Sequence, residues 1–271
     1  MDKISVLISL YKQETPFFFH ECLESLSIQT RKPDQVVIVF DGCVGSDLEE
    51  VVDQFTSVLP IQVVSLSVNV GLAGALNAGL DHCSGDLVAR FDSDDICYPR
   101  RLEVQERLIN EFNVDILGSS ATVINFDGVE VGTRINPVRH DVIIKNLWRN
   151  PLIHPSVMFR KERILDIGAY SNELRRRQDY ELWFRAARND LKFYNIKEPL
   201  IYYRFDSHTL AKQRPSLAWN QGKIGFTGSM SCNLGVIRSL CCFIPFFRSV
   251  FPLYLQIKIT KVMKFLDSRD N

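Results

Sequence analysis

The chain has no charge of one sign to spare: its 271 residues hold 32 Lys and Arg against 32 Asp and Glu. No overall field therefore draws it to nucleic acid or to acidic partners, and any electrostatic function must be local. The seven cysteines, at 22, 43, 83, 97, 232, 241 and 242, are an odd number without a C-x-x-C pair. A disulfide framework is not expected; small core residues in a reducing compartment are. No G-x-x-x-x-G-K-[ST] occurs, which excludes a P-loop enzyme, and no G-x-G-x-x-G follows the first apolar run, which argues against a dinucleotide dehydrogenase. The start, MDKISVLISLYK, lacks a small-residue cleavage site and carries an acid before its short apolar run, so it reads as a first strand and not a signal peptide, in a cytoplasmic protein. Internal repeats, low-complexity tracts and long linkers are also missing.

A long apolar run is missing too. The most apolar stretch, VIRSLCCFIPFFRSVFPLYLQIKITKVMKFL at 236–266, is interrupted by Arg238, Arg248, Lys258, Lys261 and Lys264, whereas a spanning helix needs about 20 mostly apolar residues in a row. The pattern suits a segment lying along a membrane face, cations toward anionic headgroups and Phe and Leu toward acyl chains. Helices packed on the main domain or on a second subunit are the alternative.

Short apolar runs alternate with helical patterns through the first half. ISVLISL (4–10) precedes a helix from Pro16 to Gln29, and QVVIVF (35–40) precedes a stripe of Leu48, Val51, Val52, Phe55 and Leu59. IQVVSL (61–66) precedes the glycine-punctuated helix 71–83, and LVARF (87–91) precedes helix 99–112, which opens on Pro99. Strands apolar throughout and joined by helices require crossovers, hence an α/β fold with a mostly parallel central sheet covered on both faces. After DILGSS (115–120) the rhythm changes to a hairpin around Asp127-Gly128, a helix 138–149, a strand 155–160, a helix 178–190 and strands near 192–196 and 200–205. One mixed domain, 1–212, is expected, with halves 1–120 and 121–212, followed by an apolar and basic helical tail, 213–271.

Ligands of open parallel sheets bind beyond the carboxyl ends of the strands. There stand Tyr11, Asp41, Asn69 with Gly71, and the run Asp92, Asp94, Asp95. A turn explains Asp41-Gly42 and a helix cap explains one acid of the run. Three acids so close repel and shift one another unless a cation compensates. A hard divalent ion, Mg²⁺ or Mn²⁺, is the economical compensation, with no Cys or His beside them in sequence. Because such an ion completes its shell with substrate phosphates, a nucleotide diphosphate is implied.

The pieces SVLISLYK, VVIVFDG, NVGLAGALNAGL, GDLVARFDSDD with PRRLEVQ, HPSVMFRK and QDYELWFR come one after another in this order. Together they resemble a family 2 glycosyltransferase of the GT-A fold, nearest to the bacterial enzymes that build O-antigen, capsule or exopolysaccharide repeat units on a lipid carrier. The resemblance implies a nucleotide-binding half, 1–120, and an acceptor-binding half, 121–212. It places Tyr11 near the base, Asp41 on base or ribose, and Asn69, Gly71 and Asn77 beside nucleotide and sugar. Arg90 would face diphosphate or sugar, or pair with a neighbouring acid. Asp92 and Ser93 would contact the donor, Asp94 would hold the metal with Asp92 as a second candidate, and Asp95 is the least committed acid. The family often has a histidine just after the Tyr-Arg pair; here Asp206 stands at that offset and His208 two residues on, leaving His208 as a further metal candidate. Asp179 occupies the position of the family's catalytic base, behind Arg175–Arg177, with Gln178 where Glu is usual. His154 resembles an acceptor-side histidine, or is a hydrogen-bonded residue at a strand start.

By the same resemblance the reaction is an inverting, metal-dependent transfer of one sugar, a hexose from a UDP-sugar, to a lipid-linked glycan, the tail holding the protein peripherally on the inner membrane face. Without the Q-x-x-R-W signature of processive synthases, one sugar per encounter is expected. A sugar nucleotidyltransferase would need a basic glycine-rich loop after the first strand, where SLYKQETP stands. A non-catalytic, membrane-attached protein that binds sugar nucleotide is the other alternative.

Overall fold

The computed structural model describes residues 2–205, 215–251 and 255–256. Nine strands build one sheet: β1 (Ile4–Leu10), β2 (Gln35–Phe40), β3 (Ile61–Ser65), β4 (Leu87–Phe91), β5 (Ile96–Cys97), β6 (Ile116–Ile124), β7 (Glu130–Arg134), β8 (Met158–Arg160) and β9 (Phe193–Arg204). Their order is β3-β2-β1-β4-β8-β6-β9-β5, with β7 on β6. β1 to β4 pair parallel, as do β6 and β9, while β8 runs antiparallel between β4 and β6.

β1, β2 and β4 are buried on both faces, as a parallel sheet under crossovers demands, while β3 is a partly exposed edge strand. On one face Ile4, Val6, Ile8 and Leu10 meet Phe19, Leu23 and Leu26 of α1 (Pro16–Ser27) and Leu48 and Val52 of α2 (Ser46–Phe55). On the other, Leu7, Val37 and Val39 meet Ala75, Leu76 and Leu80 of α3 (Leu72–His82). A Cβ on Gly79 would strike the Leu7 and Val39 side chains, so glycine there lets α3 lie close on the sheet. α4 (Arg101–Glu111) follows the acidic run.

The second half departs from the sequence pattern in three places. The helix expected over 138–149 is α5 (His140–Lys145) and a 3-10 turn, Leu147–Arg149, ended by Asn150 in the left-handed conformation (φ 51°) ahead of Pro151. The strand expected from 155 starts at Met158, because His154–Ser156 form a 3-10 turn around Pro155. The two strands expected near 192–196 and 200–205 are one, β9, whose register against β6 shifts around Ser120 to take up the Lys197-Glu198-Pro199 interruption. The hairpin forms as its turn residues require, Gly128 at φ 78° and Asn125 Oδ1 accepting the Asp127 and Val129 N–H groups.

α6 (Lys161–Asp166) and α7 (Gln178–Arg188) complete this half. The tail begins with α8 (Pro215–Ser231), α9 (Val236–Cys241) and α10 (Ile244–Ser249). A strip of glycines on α8 seats it: a Cβ on Gly222 would strike Phe243, on Gly225 Tyr180 and Cys242, and on Gly228 the Phe184 ring. The tail thus rests directly on α7. No helix among the described residues is long and apolar enough to cross a membrane. All seven cysteines are free thiols.

Candidate active site

The alternation of β4 carries Val88 and Arg90 to the α7 face of the sheet, and Asp92 stands just beyond the strand end. Arg90 is only 2% exposed, and its Nη2 lies 2.5 Å from Asp92 Oδ1. Among the described residues its Nε and Nη1 are buried without a partner. Of the two expectations for Arg90, pairing with a neighbouring acid is met, and two N–H-bearing nitrogens remain unspent.

Oxygens of Asp92, Asp94 and Asp95 lie within 4.8 Å of one another. Burial, then the charge of Asp92, pushes the Asp94 carboxyl up to about 6. Asp95 is buried and its carboxyl is raised well above the ordinary range by the same causes and by Asp94. Asp95 Oδ1 accepts the Arg204 N–H at 2.8 Å, and Oδ2 is buried without a partner. A fourth acid, Glu14, enters from the β1–α1 connection: burial pushes its carboxyl up to about 7, Asp94 and Asp92 add to the rise, and a hydrogen bond to Ser93 opposes it.

Among the described residues, acids outnumber the cations that engage them. Arg90 answers Asp92. Arg204 spends its side chain on the scaffold, donating from Nε to the Asp94 carbonyl at 2.9 Å, pairing with Glu21 at 2.8 Å and lying 4.1 Å over the Phe18 ring. Arg101, buried under Phe91, donates to the Arg90 carbonyl. Among the described residues, the three arginines that pair with or donate to this cluster leave two negative charges on Glu14, Glu21, Asp92, Asp94 and Asp95 when all ionise. That deficit, the all-oxygen donor set and the unpartnered Asp95 Oδ2 fit one hard divalent ion, Mg²⁺ or Mn²⁺. A thiol does lie beneath the run, which sequence separation hid: Cys22 Sγ donates to the Asp92 carbonyl, and burial holds it protonated, so it offers no thiolate.

Asp41, buried at the end of β2, is taken up by the turn before α3. Its Oδ1 accepts the Val70 N–H at 2.7 Å; its Oδ2 accepts the Gly71 N–H at 3.0 Å and Asn69 Nδ2 at 2.9 Å. Gly71 (φ 85°) and Gly42 (φ 81°) supply the left-handed backbone this arrangement needs, and a Cβ on Gly42 would stand 2.9 Å from the Asn69 nitrogen. The resemblance puts Asn77 beside the donor. Instead its amide clips α3 to the segment before α7, donating to the Tyr170 carbonyl and Asn172 Oδ1 and accepting the Tyr170 N–H. Three of its four hydrogen-bonding positions are thereby filled.

His154, read either as an acceptor-side histidine or as a hydrogen-bonded residue at a strand start, stands in the turn just before β8. It is buried, Nε2 is 2.8 Å from Tyr170 Oη, the Trp183 ring is edge-on, and burial with the Arg90 charge lowers its proton affinity well below the ordinary value. Gln178 is also buried, its Oε1 without a partner. Tyr11 is 37% exposed at the rim; its phenol is raised by burial and Glu14, and feels both Arg176 and Asp94.

Asp179 stands in the first turn of α7, after Arg177 in the left-handed conformation (φ 65°). Asn150 Nδ2 donates to its Oδ2 at 3.2 Å. Tyr170 links the two constellations: burial raises its phenol, Arg90 lowers it, and the charges of Asp179 and Asp92 both raise it. Asp179 and Asp92 thus both act electrostatically on one buried phenol. His208 and Asp206 lie outside the described residues. Sequence reasoning missed Glu14, Asn150 and Tyr170; only Glu14 left a signal, as an acid three residues past Tyr11 on the same rim.

The model of the family described as "Glycosyl transferase family 2" matches residues 5–184. The chain is 38% identical over 218 residues to the amylovoran biosynthesis glycosyltransferase AmsE of Erwinia amylovora, covering 80% of each. It is 36% identical to the UDP-Gal:alpha-D-GlcNAc-diphosphoundecaprenol beta-1,3-galactosyltransferase of Escherichia coli, covering 80% of this chain and 79% of that one. Among solved structures, the mannosyltransferase PcManGT from Pyrobaculum calidifontis, in complex with GDP-Man and Mn²⁺, superimposes with a TM-score of 0.66 at 13% identity, over 99% of this chain and 82% of that one. The fold is the GT-A fold.

Proposed function

The chain belongs to glycosyl transferase family 2, and from that premise we propose that it moves one hexose from a UDP-sugar to a lipid-linked glycan during assembly of a bacterial surface polysaccharide. The names of the relatives support this substrate class: one acts in amylovoran biosynthesis, the other takes UDP-Gal and a diphosphoundecaprenol acceptor.

Asp94, with Asp92 and the free oxygen of Asp95, would hold Mn²⁺ or Mg²⁺. Such an ion supplies positive charge to the diphosphate as it leaves, a Lewis-acid contribution of several kcal/mol. Arg90 adds the two N–H-bearing nitrogens that no protein group takes up, suited to a diphosphate or sugar oxygen. Asp41 holds the 69–71 turn for the nucleoside, with Tyr11 at the rim. On the opposite side Asp179 accepts the proton of the acceptor hydroxyl while that oxygen bonds to the anomeric carbon and the bond to UDP breaks. A single displacement of this kind inverts the anomeric configuration. Arg175, Arg176 and Arg177, exposed and without ion pairs among the described residues, directly precede the base and suit an anionic acceptor.

The tail gives proximity to that acceptor. Val236, Ile237, Leu240, Phe247 and Val250 are exposed apolar side chains, Ile237 at 79%, with the exposed Arg238 among them. Apolar groups beside cations suit the anionic inner face of the cell membrane.

The observation that carries this reading is the clustering of Asp92, Asp94 and Asp95 oxygens within 4.8 Å of one another beside the buried guanidinium of Arg90, in a chain of this family. The experiment is incubation with a panel of nucleotide sugars, Mn²⁺ or Mg²⁺, and a synthetic sugar-diphosphate-lipid. A mass gain of one hexose on the acceptor, with inverted configuration at the new linkage, is expected. Nucleotide-sugar binding without transfer across a wide acceptor panel would contradict it.

A further inference from the structure

We propose that Asn150 is the positioning residue of the base, holding the Asp179 carboxylate by one oxygen so that the other is aimed at the acceptor hydroxyl. The proposal rests on the reading of Asp179 as the base.

Asn150 Nδ2 donates to Asp179 Oδ2 at 3.2 Å, and Asp179 Oδ1 makes no hydrogen bond among the described residues. The assignment of the amide is set by its surroundings. Turned over, it would bring oxygen against a carboxylate; as it stands, Oδ1 is the end left without a partner. An amide donor does two things for a carboxylate: it fixes the rotation of the group, and it favours the ionised form that can accept a proton.

The backbone is built to deliver this amide. Asn150 sits at φ 51° and ψ 76°, a left-handed conformation that asparagine tolerates and most side chains do not. Arg134 Nη2 donates to its carbonyl at 3.2 Å, and Pro151 comes next. The same turn is fastened to α7 a second time: Tyr180 Oη, from the residue after Asp179, donates to the Trp148 carbonyl at 2.7 Å. From behind, Cys242 of the tail touches both, its Sγ 3.8 Å from Tyr180 Oη and 3.7 Å from the Trp148 carbonyl. The 148–150 turn and the first turn of α7 therefore move as one piece, with the amide and the carboxylate facing each other across the joint.

The test compares Asn150→Gly, which keeps the left-handed backbone and deletes the amide, with Asn150→Asp, which keeps the shape and replaces the donor with an acceptor. Both are measured on the full chain with UDP-sugar and diphosphate-lipid acceptor, alone and combined with Asp179→Asn. The expected results are a fall of about tenfold or more in kcat with unchanged KM for the UDP-sugar. In the Asp179→Asn background the same substitutions should have no further effect. Unchanged kcat in a folded variant would overturn the proposal. So would a loss that persists undiminished in the Asp179→Asn background, or one expressed in donor KM. If Asn150→Gly does not fold, Asn150→Asp decides. Wild-type transfer by Asp179→Asn alone would instead sink the reading of Asp179 as base, and is distinct from every result above.

Discussion

Replacing Asp94 with Asn should stabilise the metal-free protein at neutral pH, and the gain should vanish in acid. Asp94 ordinarily loses its proton near 3.8, and in the folded chain burial and Asp92 push that up to about 6. Between those two values the unfolded chain has released the proton and the folded chain still holds it. The folded state binds more protons there, so wild-type stability falls as pH rises through the window and stays lower above it. A rise of about two units corresponds to about 3 kcal/mol. The amide that Asp94→Asn introduces carries no charge and avoids that cost. Urea unfolding in EDTA at pH 8 should show Asp94→Asn more stable than wild type by up to about 3 kcal/mol, with the two converging near pH 4. Glu14, pushed up to about 7 by burial and the same neighbours, adds a slope of the same sign to both proteins. Saturating Mn²⁺ should then raise wild type at pH 8 by the mass-action term of a ligand specific to the folded state, leave Asp94→Asn nearly unmoved, and do little to either at pH 5. A variant less stable than wild type at pH 8 in EDTA, or a difference that does not shrink in acid, would refute the claim that the burial of the Asp94 charge beside Asp92 is the cost the ion relieves.

Asp179→Asn should lower kcat by about 10² to 10⁴ while leaving UDP affinity within a factor of two or so, measured by transfer rate and calorimetry. Arg90→Lys keeps the charge but not the planar fork, and should raise donor KM about tenfold or more in initial-rate assays, because Asp92 and the two unspent nitrogens depend on guanidinium geometry. Gly228→Val forces carbon into the Phe184 ring and should cost about 1–3 kcal/mol in urea unfolding. Combined Ile237→Asp and Phe247→Asp should abolish flotation with anionic vesicles, while wild type floats in a salt-dependent way.

The first four strands and helices were legible because their signals are local: runs such as VVIVF and the α2 stripe are written within a few residues of one another. β5 and the unbroken β9 were not, since Ile96 and Cys97 find partners at Tyr202 and Ile201, and no local pattern carries a pairing over that separation. The same division holds in the site. Asp92, Asp94 and Asp179 were singled out because each stands in a compact motif. The contacts of Asn77 and Asn150 were not legible for a common reason: an asparagine does whatever its tertiary partner requires, and Tyr170 and Asp179 become their partners only after folding. His154 is a similar case, its role set by Tyr170, Trp183 and Arg90 around it.

Titration of UDP into the purified protein, in a calorimeter, with Mn²⁺ and then with EDTA, tests the account at its base. Binding that is measurable with Mn²⁺, and lost both in EDTA and in Asp94→Asn, is the predicted result; UDP affinity indifferent to the metal would contradict the assignment of Asp92, Asp94 and Asp95 as the place where ion and diphosphate meet.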